Sequence, residues 1–219
     1  MTRAYAQIAF TDTVRQLQQE DDSRRLYAHL DDLADGEAPG QPDALGPDEA
    51  TFIARCDGFY QATVSETGWP YVQYRGGGPG CLSLIDAHTL AYADLRGNRQ
   101  YISAGNLQRD NRVALFLMDY AAQRRLKIMG RATLLDPEAA ARALPAVKTP
   151  TGRHRVKRVV RIDVLAFDWN CPQHITPRFT AAQIKQAMQP LHDEIARLRA
   201  QLAARGGLSG RDRAPDGED

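Results

Sequence analysis

The apolar residues of this chain recur with a helical period near both ends and alternate with polar residues in the middle. Near the start, Thr11 or Thr13 would cap a helix that carries Val14 and Leu17 on one face. Three prolines and three glycines between residues 35 and 47 predict a loop there. Further helices are predicted over residues 23–33 and 48–55.

The middle of the chain has the alternation and the turn residues of a β-protein. Strands are predicted over residues 59–65, 71–75, 81–85, 89–93, 112–118, 125–135 and 156–167. Helical segments over residues 98–107 and 136–144 interrupt them. Short strands at hairpin spacing with few helices between them favour an antiparallel barrel over a doubly wound parallel sheet.

The last part of the chain returns to a helical period, with apolar residues spaced alternately by four and three, as in a coiled coil. This heptad seam consists of Ile184, Met188, Leu191, Ile195, Leu198 and Leu202. The helix packs either on its own barrel or on a second subunit, and the narrow apolar stripe favours the second subunit. The predicted divisions are a helical extension (1–47), a barrel (48–180), a heptad helix (181–205) and a disordered polar tail (206–219).

Composition changes this picture little. The 219 residues are 43% hydrophobic and 25% charged, which is ordinary for a globular protein with its own core. A net charge of +1 gives no field that would favour nucleic acid, and no apolar run is long enough for a membrane span. The first ten residues lack a secretory pattern, so a cytoplasmic location is expected. The cysteines and histidines show no spacing typical of a disulfide framework or a metal site.

None of the local motifs for a catalytic triad, a zinc protease or a P-loop occurs, so no catalytic side chain is predicted. The segment over residues 94–103 instead gathers arginine, asparagine, glutamine and serine around an expected helix start. Free N–H groups and the helix dipole favour a phosphate there, and arginine offers it a matching fork. Taken alone, the segment fits a solvated helix start without a ligand better.

Two other segments could form the wall of a pocket. Gln73 and Arg75 share one strand face, and the glycines that follow would let a flat ligand approach the backbone, although a wide hairpin turn is the alternative. Residues 167–178 combine Trp169 with polar residues between two prolines, but Trp169 is also typical of a core and His174 of a surface. The basic residues over 153–161 lack interleaved aromatic residues for nucleic acid and predict a solvated or interface strand face.

Four segments stand in an informative order: FYQATVSETGWPYVQYRGG (59–77), GNRQYIS (97–103), RVALFLMDY (112–120) and FDWNCPQHI (167–175). Together they resemble the pyridoxamine 5'-phosphate oxidase-related flavin-nucleotide-binding proteins, over roughly residues 46–180. The resemblance implies a mainly β protein with added helices, a six-stranded-type antiparallel split β-barrel that binds FMN at a homodimer interface. The FMN contacts that it implies are Gln73, Tyr74, Arg75, Gly76, Gly77, Asp94, Asn98, Arg99, Gln100, Tyr101, Ser103, Lys127, Trp169, Asn170 and Gln173.

The chain departs from true oxidases of that family at informative positions. Asn98, Arg99 and Gln100 fall where those enzymes have a Ser-Arg-Lys phosphate grip, and Gln73 falls where they usually carry arginine. Their C-terminal Arg-x-His substrate signature is not evident, so oxidation of pyridoxamine phosphate is not expected.

The resemblance therefore implies an FMN-dependent oxidoreductase of an unidentified small molecule, with the flavin carrying the redox chemistry. One alternative is a flavin carrier or sensor without turnover. Another is a split barrel that binds haem or a deazaflavin; for haem, only Cys171 and His174 stand near a predicted pocket wall. Nucleic-acid and membrane partners are not expected.

Overall fold

A computed structural model describes residues 1–31, 40–147, 156–169 and 173–209, with side chains up to residue 204. Within these ranges the helices are α1 (Arg3–Ala9), α2 (Asp12–Glu20), α3 (Pro47–Arg55), α4 (Ile102–Arg109), α5 (Pro137–Ala143) and α6 (Ala181–Ser209). The strands are β1 (Gly58–Val64), β2 (Pro70–Gly76), β3 (Ser83–Asp86), β4 (Thr89–Leu95), β5 (Arg112–Asp119), β6 (Arg124–Leu135) and β7 (Val156–Trp169).

The N-terminal helices are short and begin at threonine caps. The hydroxyl oxygen of Thr2 accepts a hydrogen bond from the Tyr5 amide at the start of α1, at 3.2 Å. Thr11 caps α2 in the same way, through the Val14 amide at 3.4 Å. The sequence-based prediction of a helix capped at Thr11 is confirmed.

The helix predicted over residues 23–33 is wrong for the part that the structure describes. The chain forms two 3₁₀ turns instead, Arg24–Leu26 and Ala28–Leu30. Between them Tyr27 has a φ of −117°, outside the helical range, and its ring lies edge-on to Phe10 at 5.4 Å. A tertiary contact therefore overrides the local helical pattern; residues 32 and 33 lie outside the described residues.

The described strands form one antiparallel sheet in the order β2-β1-β5-β6-β7-β4-β3. The fold class is confirmed as a split barrel, with one strand more than the six-stranded type. These strands do not close into a full barrel, but the sheet curls until its edge strand β2 comes back beside β4. An ion pair of 2.6 Å between Arg75 of β2 and Asp94 of β4 shows how near the two strands lie.

The inward face of the curled sheet holds the core, because alternate side chains of each strand point there. The largest fully buried ones include Phe59, Leu82, Leu90, Leu115, Leu117, Leu126, Ile128 and Ile162. At a β-bulge, β6 passes so close to β7 that a Cβ atom on Gly130 would lie 2.5 Å from the carbonyl oxygen of Asp163. Position 130 therefore requires glycine.

The outward face of the sheet is covered over β6 and β7 and exposed over β2 and β1. Tyr5 of α1 shares an apolar cluster with Met129 of β6. By contrast, Tyr60 is 39%, Val72 60% and Tyr74 56% exposed. This outer apolar face, made of Tyr60, Val72 and Tyr74, lies directly behind the strand that carries Gln73 and Arg75.

The residues after Thr176 form a second unit, which consists largely of α6. The hydroxyl oxygen of Thr180 accepts a hydrogen bond from the Gln183 amide at 3.2 Å and caps the helix. The helix continues to Ser209, four residues into the segment predicted as a disordered tail, and residues 210–219 lie outside the described residues. In the described part of the chain, no helix is long and apolar enough to span a membrane.

Candidate functional site

A cleft opens where β2 returns beside β4, at the split of the barrel. Its walls are the inward-facing side of β2, the end of β4, the loop to α4, the first turn of α4 and the start of β7. It contains about 520 Å³ of space, part of it open solvent. The lining consists of Tyr71, Gln73, Arg75, residues 94–104, Lys157 and Arg158.

Asp94 holds two arginines in place at one wall of the cleft. Its Oδ1 atom lies 2.6 Å from Nη1 of Arg75, and its Oδ2 atom lies 3.2 Å from Nε of Arg158. Asp94 and Arg158 are cross-strand neighbours on β4 and β7, whereas Arg75 reaches Asp94 across the split. The guanidinium groups also lie over aromatic rings, Arg75 over Tyr92 at 5.6 Å and Arg158 over Tyr101 at 5.5 Å.

The loop between β4 and α4 has an unusual backbone. Arg99 and Tyr101 have φ values of 62° and 56°, in the left-handed region that residues with a Cβ rarely adopt. The Asn98 side-chain oxygen accepts a hydrogen bond from the Gln100 amide at 3.2 Å, which stabilises the turn. Tyr101 makes no side-chain cap, so the amide groups in the first turn of α4 receive no hydrogen bond from it, and the residues of that turn line the cleft.

Below the cleft, polar side chains continue into the barrel. The Ser103 hydroxyl donates to Oε1 of Gln73 at 2.9 Å, and the Tyr92 hydroxyl donates to Oε1 of Gln61 at 2.6 Å. Burial raises the pKa of Tyr92, Asp94 raises it further, and Arg75 opposes the shift. The phenol therefore stays protonated and remains a hydrogen-bond donor beneath the cleft.

Positive charge exceeds negative charge in this cleft. Arginine and lysine supply five cationic side chains among the lining residues, against the single carboxylate of Asp94. Arg96, Arg99 and Lys157 are exposed and make no side-chain hydrogen bond or ion pair with another described residue. Surplus cations beside an uncapped helix N terminus form a site suited to an anion such as a phosphate ester.

The sequence matches the family model of pyridoxamine 5'-phosphate oxidase over residues 46–164, more than half of the chain. The chain belongs to the pyridoxamine 5'-phosphate oxidase family. The matched region begins just before α3, ends within β7 and includes every residue that lines the cleft. No curated protein matches the chain.

Solved structures with some similarity to this chain were also found. A variant of HupZ from Group A Streptococcus is 18% identical, covering 57% of this chain and 99% of that one, with a TM-score of 0.44. General Stress Protein 26 from Bacillus anthracis is 13% identical, covering 59% and 92%, with a TM-score of 0.39. An F420 reductase is 18% identical, covering 54% and 94%, also with a TM-score of 0.39.

Of the cofactor contacts implied by the resemblance to this family, the structure brings eight together in the cleft. They are Gln73, Arg75, Asp94, Asn98, Arg99, Gln100, Tyr101 and Ser103. In this grouping, the polar residues of the segment over residues 94–103 meet β2 and β7 across a concave surface.

Other implied contacts lie elsewhere. Tyr74 lies on the outward face, where its ring packs against that of Tyr60 at a centroid distance of 5.4 Å and a tilt of 59°. The Gly77 amide donates a hydrogen bond to the Asp57 carbonyl oxygen. The Tyr74 ring also lies close to the backbone of Gly76.

Lys127 also lies on the outward face, with its Nζ atom 3.7 Å from Oδ2 of the buried Asp168. Gln173 is exposed, and Asn170 lies outside the described residues.

Trp169 packs on the core, as the alternative interpretation of that segment allowed. Its ring lies edge-on to Phe52 at 4.8 Å, and its Nε1 atom donates to Oε1 of Glu49 at 2.5 Å. Arg124 covers the other side, 4.3 Å from the ring centroid.

Sequence reasoning missed Tyr71, Lys157 and Arg158 as cleft residues. Tyr71 shares the strand face of Gln73 and Arg75, so alternation along β2 could have identified it. Lys157 and Arg158 belong to the basic strand that was interpreted as a solvated or interface face. Only the pairing of β7 with β4 shows that Arg158 meets Asp94.

Proposed function

We propose that this chain binds FMN, with the phosphate group in the cleft, and uses it in an oxidoreductase reaction on a small molecule. The observation that carries the proposal is the surplus of cations around the N terminus of α4 in a member of this family. A buried polar atom supports the fit: Nε of Arg75 has no hydrogen-bond partner among the described residues. An anionic ligand would supply that partner.

Different groups in the cleft would bind the phosphate in different ways. Arg96, Arg99 and Lys157 are exposed and would supply charge to the oxygens. The amides in the first turn of α4 would supply uncharged donors, as at other helix N termini that bind phosphate. Arg75 and Arg158 are held by Asp94, which preorganises them and limits the rotamer entropy lost on binding.

The chain's part in catalysis would be binding and orientation. When bound, a flavin supplies two-electron redox chemistry, and the protein adds placement and electrostatics. In the proposed complex, the strand from Val72 to Gly77 would lie along the ring system and the ribityl chain. The buried thiol of Cys56 is not an apparent nucleophile, because burial raises its pKa to about 12 and keeps it protonated.

The proposed homodimer would place FMN between two subunits. Support comes from the outer apolar face, whose aromatic and aliphatic side chains lie on the same strand as Gln73 and Arg75. Tyr74 lies on this face rather than in the cleft. A second subunit seated there would bring such outward residues close to a cofactor that extends out of the cleft.

The first experiment is an absorption spectrum of the purified protein, followed by release and mass identification of the chromophore. FMN gives the two flavin bands, haem gives a sharp Soret band, and a deazaflavin has a different spectrum and mass. The described cleft lining contains no histidine, cysteine or methionine, and Tyr71 and Tyr101 are its candidate ligands for a haem iron, so the spectrum distinguishes the two cofactors. Protein that is colourless and also fails to bind added FMN would contradict the proposal.

The phosphate role is tested by comparing FMN with riboflavin, which lacks the phosphate. Arg99→Ala should weaken FMN binding by about 1.5–3 kcal/mol because a charge-assisted contact is lost, and should leave riboflavin binding unchanged. Arg109→Ala is the matched control, since Arg109 is an exposed arginine at the other end of α4. Equal FMN dissociation constants for the two variants, measured by flavin fluorescence, would remove Arg99 from the site.

Turnover separates an enzyme from a carrier or sensor. Once FMN is bound, anaerobic addition of NADH or NADPH should bleach the flavin absorption if the protein is an oxidoreductase that uses either donor. A flavin that neither donor reduces, in protein that binds FMN tightly, would favour the carrier or sensor.

A further inference from the structure

The apolar seam of α6 requires a partner. The seam residues have the spacing of a heptad repeat, with Ile184, Leu191 and Leu198 at d positions and Met188, Ile195 and Leu202 at a positions. Each of these six side chains is between 43% and 68% exposed in the single chain. A continuous apolar stripe of this kind marks an interaction surface.

The charges beside the seam determine which pairing of two such helices is favourable. The e positions are basic (Lys185, His192, Arg199), and the charged g position is acidic (Glu194). In a parallel pair, each g residue faces the next e residue of the other helix. Glu194 of each helix would then face Arg199 of the other, which gives two opposite-charge pairs by two-fold symmetry.

An antiparallel pair of the same helices brings like charges together. In that pair, the e positions of one helix face the e positions of the other, and the g positions face the g positions. When the two apolar seams are aligned end to end, Lys185 of one helix faces Arg199 of the other, and Glu194 faces the Glu194 of the other helix. Glu194 is ionised at neutral pH because hydrogen bonds from Arg197 on the same helix lower its pKa. The two Glu194 carboxylates would therefore both be charged, and each would have only Arg197 of its own helix as a cationic partner.

We propose that α6 pairs with α6 of a second copy of this chain as a parallel, in-register, two-stranded coiled coil. The central heptad has isoleucine at a (Ile195) and leucine at the neighbouring d positions (Leu191 and Leu198), the combination that favours two strands. The outer layers have Met188 and Leu202 at a and Ile184 at d. Pro190 lies at a c position, so its ring does not occupy the seam. A proline inside a helix kinks it, and the seam residues from Leu191 to Leu202 all lie on the C-terminal side of that kink. The inference does not depend on flavin binding, because it uses only α6.

Cross-linking tests the orientation directly. In the parallel pair, Leu202→Cys places two thiols side by side, so mild oxidation with oxidised glutathione should link most of the full-length protein through position 202. In the antiparallel pair, position 202 would face position 184 of the other helix, about 27 Å along the helix from its own copy. Gln186→Cys, at an outward f position, is the matched control and should not link. Peptide mass analysis identifies the linked cysteines against the three native ones.

Two outcomes would overturn the proposal. One is a Leu202→Cys protein that does not link above the level of the Gln186→Cys control. The other is a mixture of Leu202→Cys and Ile184→Cys proteins that links only as the mixed product, which would show an antiparallel pair.

Charge reversal tests the register. Arg199→Glu should raise the dimer dissociation constant by about threefold to tenfold in sedimentation equilibrium, because it sets Glu194 against a second carboxylate in each of the two exposed pairs. Combining Arg199→Glu with Glu194→Arg should restore the wild-type constant, because the opposite-charge pairs re-form. If the double variant is as weak as the single one, the facing of Glu194 and Arg199 is disproved. Loss of FMN binding, in contrast, would leave all these outcomes unchanged.

Discussion

Two carboxylates near opposite ends of β7 are each paired with two cations, but their surroundings differ. Asp94 faces the start of β7, and Asp168 belongs to its end. Each has two cationic groups nearby: Asp94 has Arg75 and Arg158, and Asp168 has Lys127 and the terminal amino group of Met1.

The surroundings of the two groups differ. Near Asp168, α1 covers the sheet, Lys127 lies 5.9 Å from the centre of the Tyr5 ring, and the carboxylate is only 4% exposed. Near Asp94, three further cations remain exposed at an open cleft. We infer that the first group stabilises the fold and that the second is prepared for a ligand. Surplus charge and access, rather than the ion pairs themselves, distinguish a candidate site from a structural ion pair.

The largest effect is expected at the structural group. Asp168→Asn should lower the free energy of unfolding by about 2–3 kcal/mol, because it removes the buried counter-charge of two partly exposed cations. The folded variant should bind FMN as the wild type does. Chemical denaturation measures the first quantity and flavin fluorescence the second. A loss of FMN affinity as large as that of Arg99→Ala would show that the two groups act together.

The next effect concerns the group in the cleft. Arg158→Ala should weaken FMN binding about tenfold to a hundredfold through loss of a charge-assisted contact. The unfolding free energy should change by about 1 kcal/mol, since Asp94 keeps Arg75. Arg161→Ala, at an exposed position of the same strand, is the control. Matching FMN affinities for these two variants would place Arg158 with the structural ion pairs.

The smallest effect is expected from the uncharged floor of the cleft. Gln73→Ala removes the acceptor for the Ser103 hydroxyl and should weaken FMN binding by about 1 kcal/mol, roughly fivefold. Val72→Ala alters the neighbouring residue on the outward face of the same strand. If Val72→Ala has the larger effect, the flavin contacts lie on the outer apolar face more than in the cleft.

Much of the fold was predictable because its signals are local. Alternation identified the strands, and Thr11 marked the start of α2. The helix expected over residues 23–33 failed because Tyr27 packs on Phe10, a contact that no local pattern encodes.

The candidate site was predictable in part. The polar segment around Arg99 and the strand with Gln73 and Arg75 could be identified, since their residue types are typical of phosphate binding and of a strand face. Arg158 could not be identified as a site residue from the sequence. A basic residue on an alternating strand has the same pattern whether its side chain faces solvent or a site, and only the partner strand distinguishes the two. Lys127 and Trp169 were expected at the site from the family resemblance, but the fold places Lys127 in an ion pair with Asp168 and packs Trp169 on the core.

The sequence by itself determined most of the element types, the family and the order of charges along α6, because each depends on residues near one another in the chain. Only the tertiary structure decided which cations are neutralised and which remain available. Coulomb energy depends on distance and burial, and both are set by the curl of the sheet, which brings β2 to β4 and pairs β4 with β7. The same fold pairs Lys127 with the buried Asp168 and leaves Arg99 exposed at the cleft.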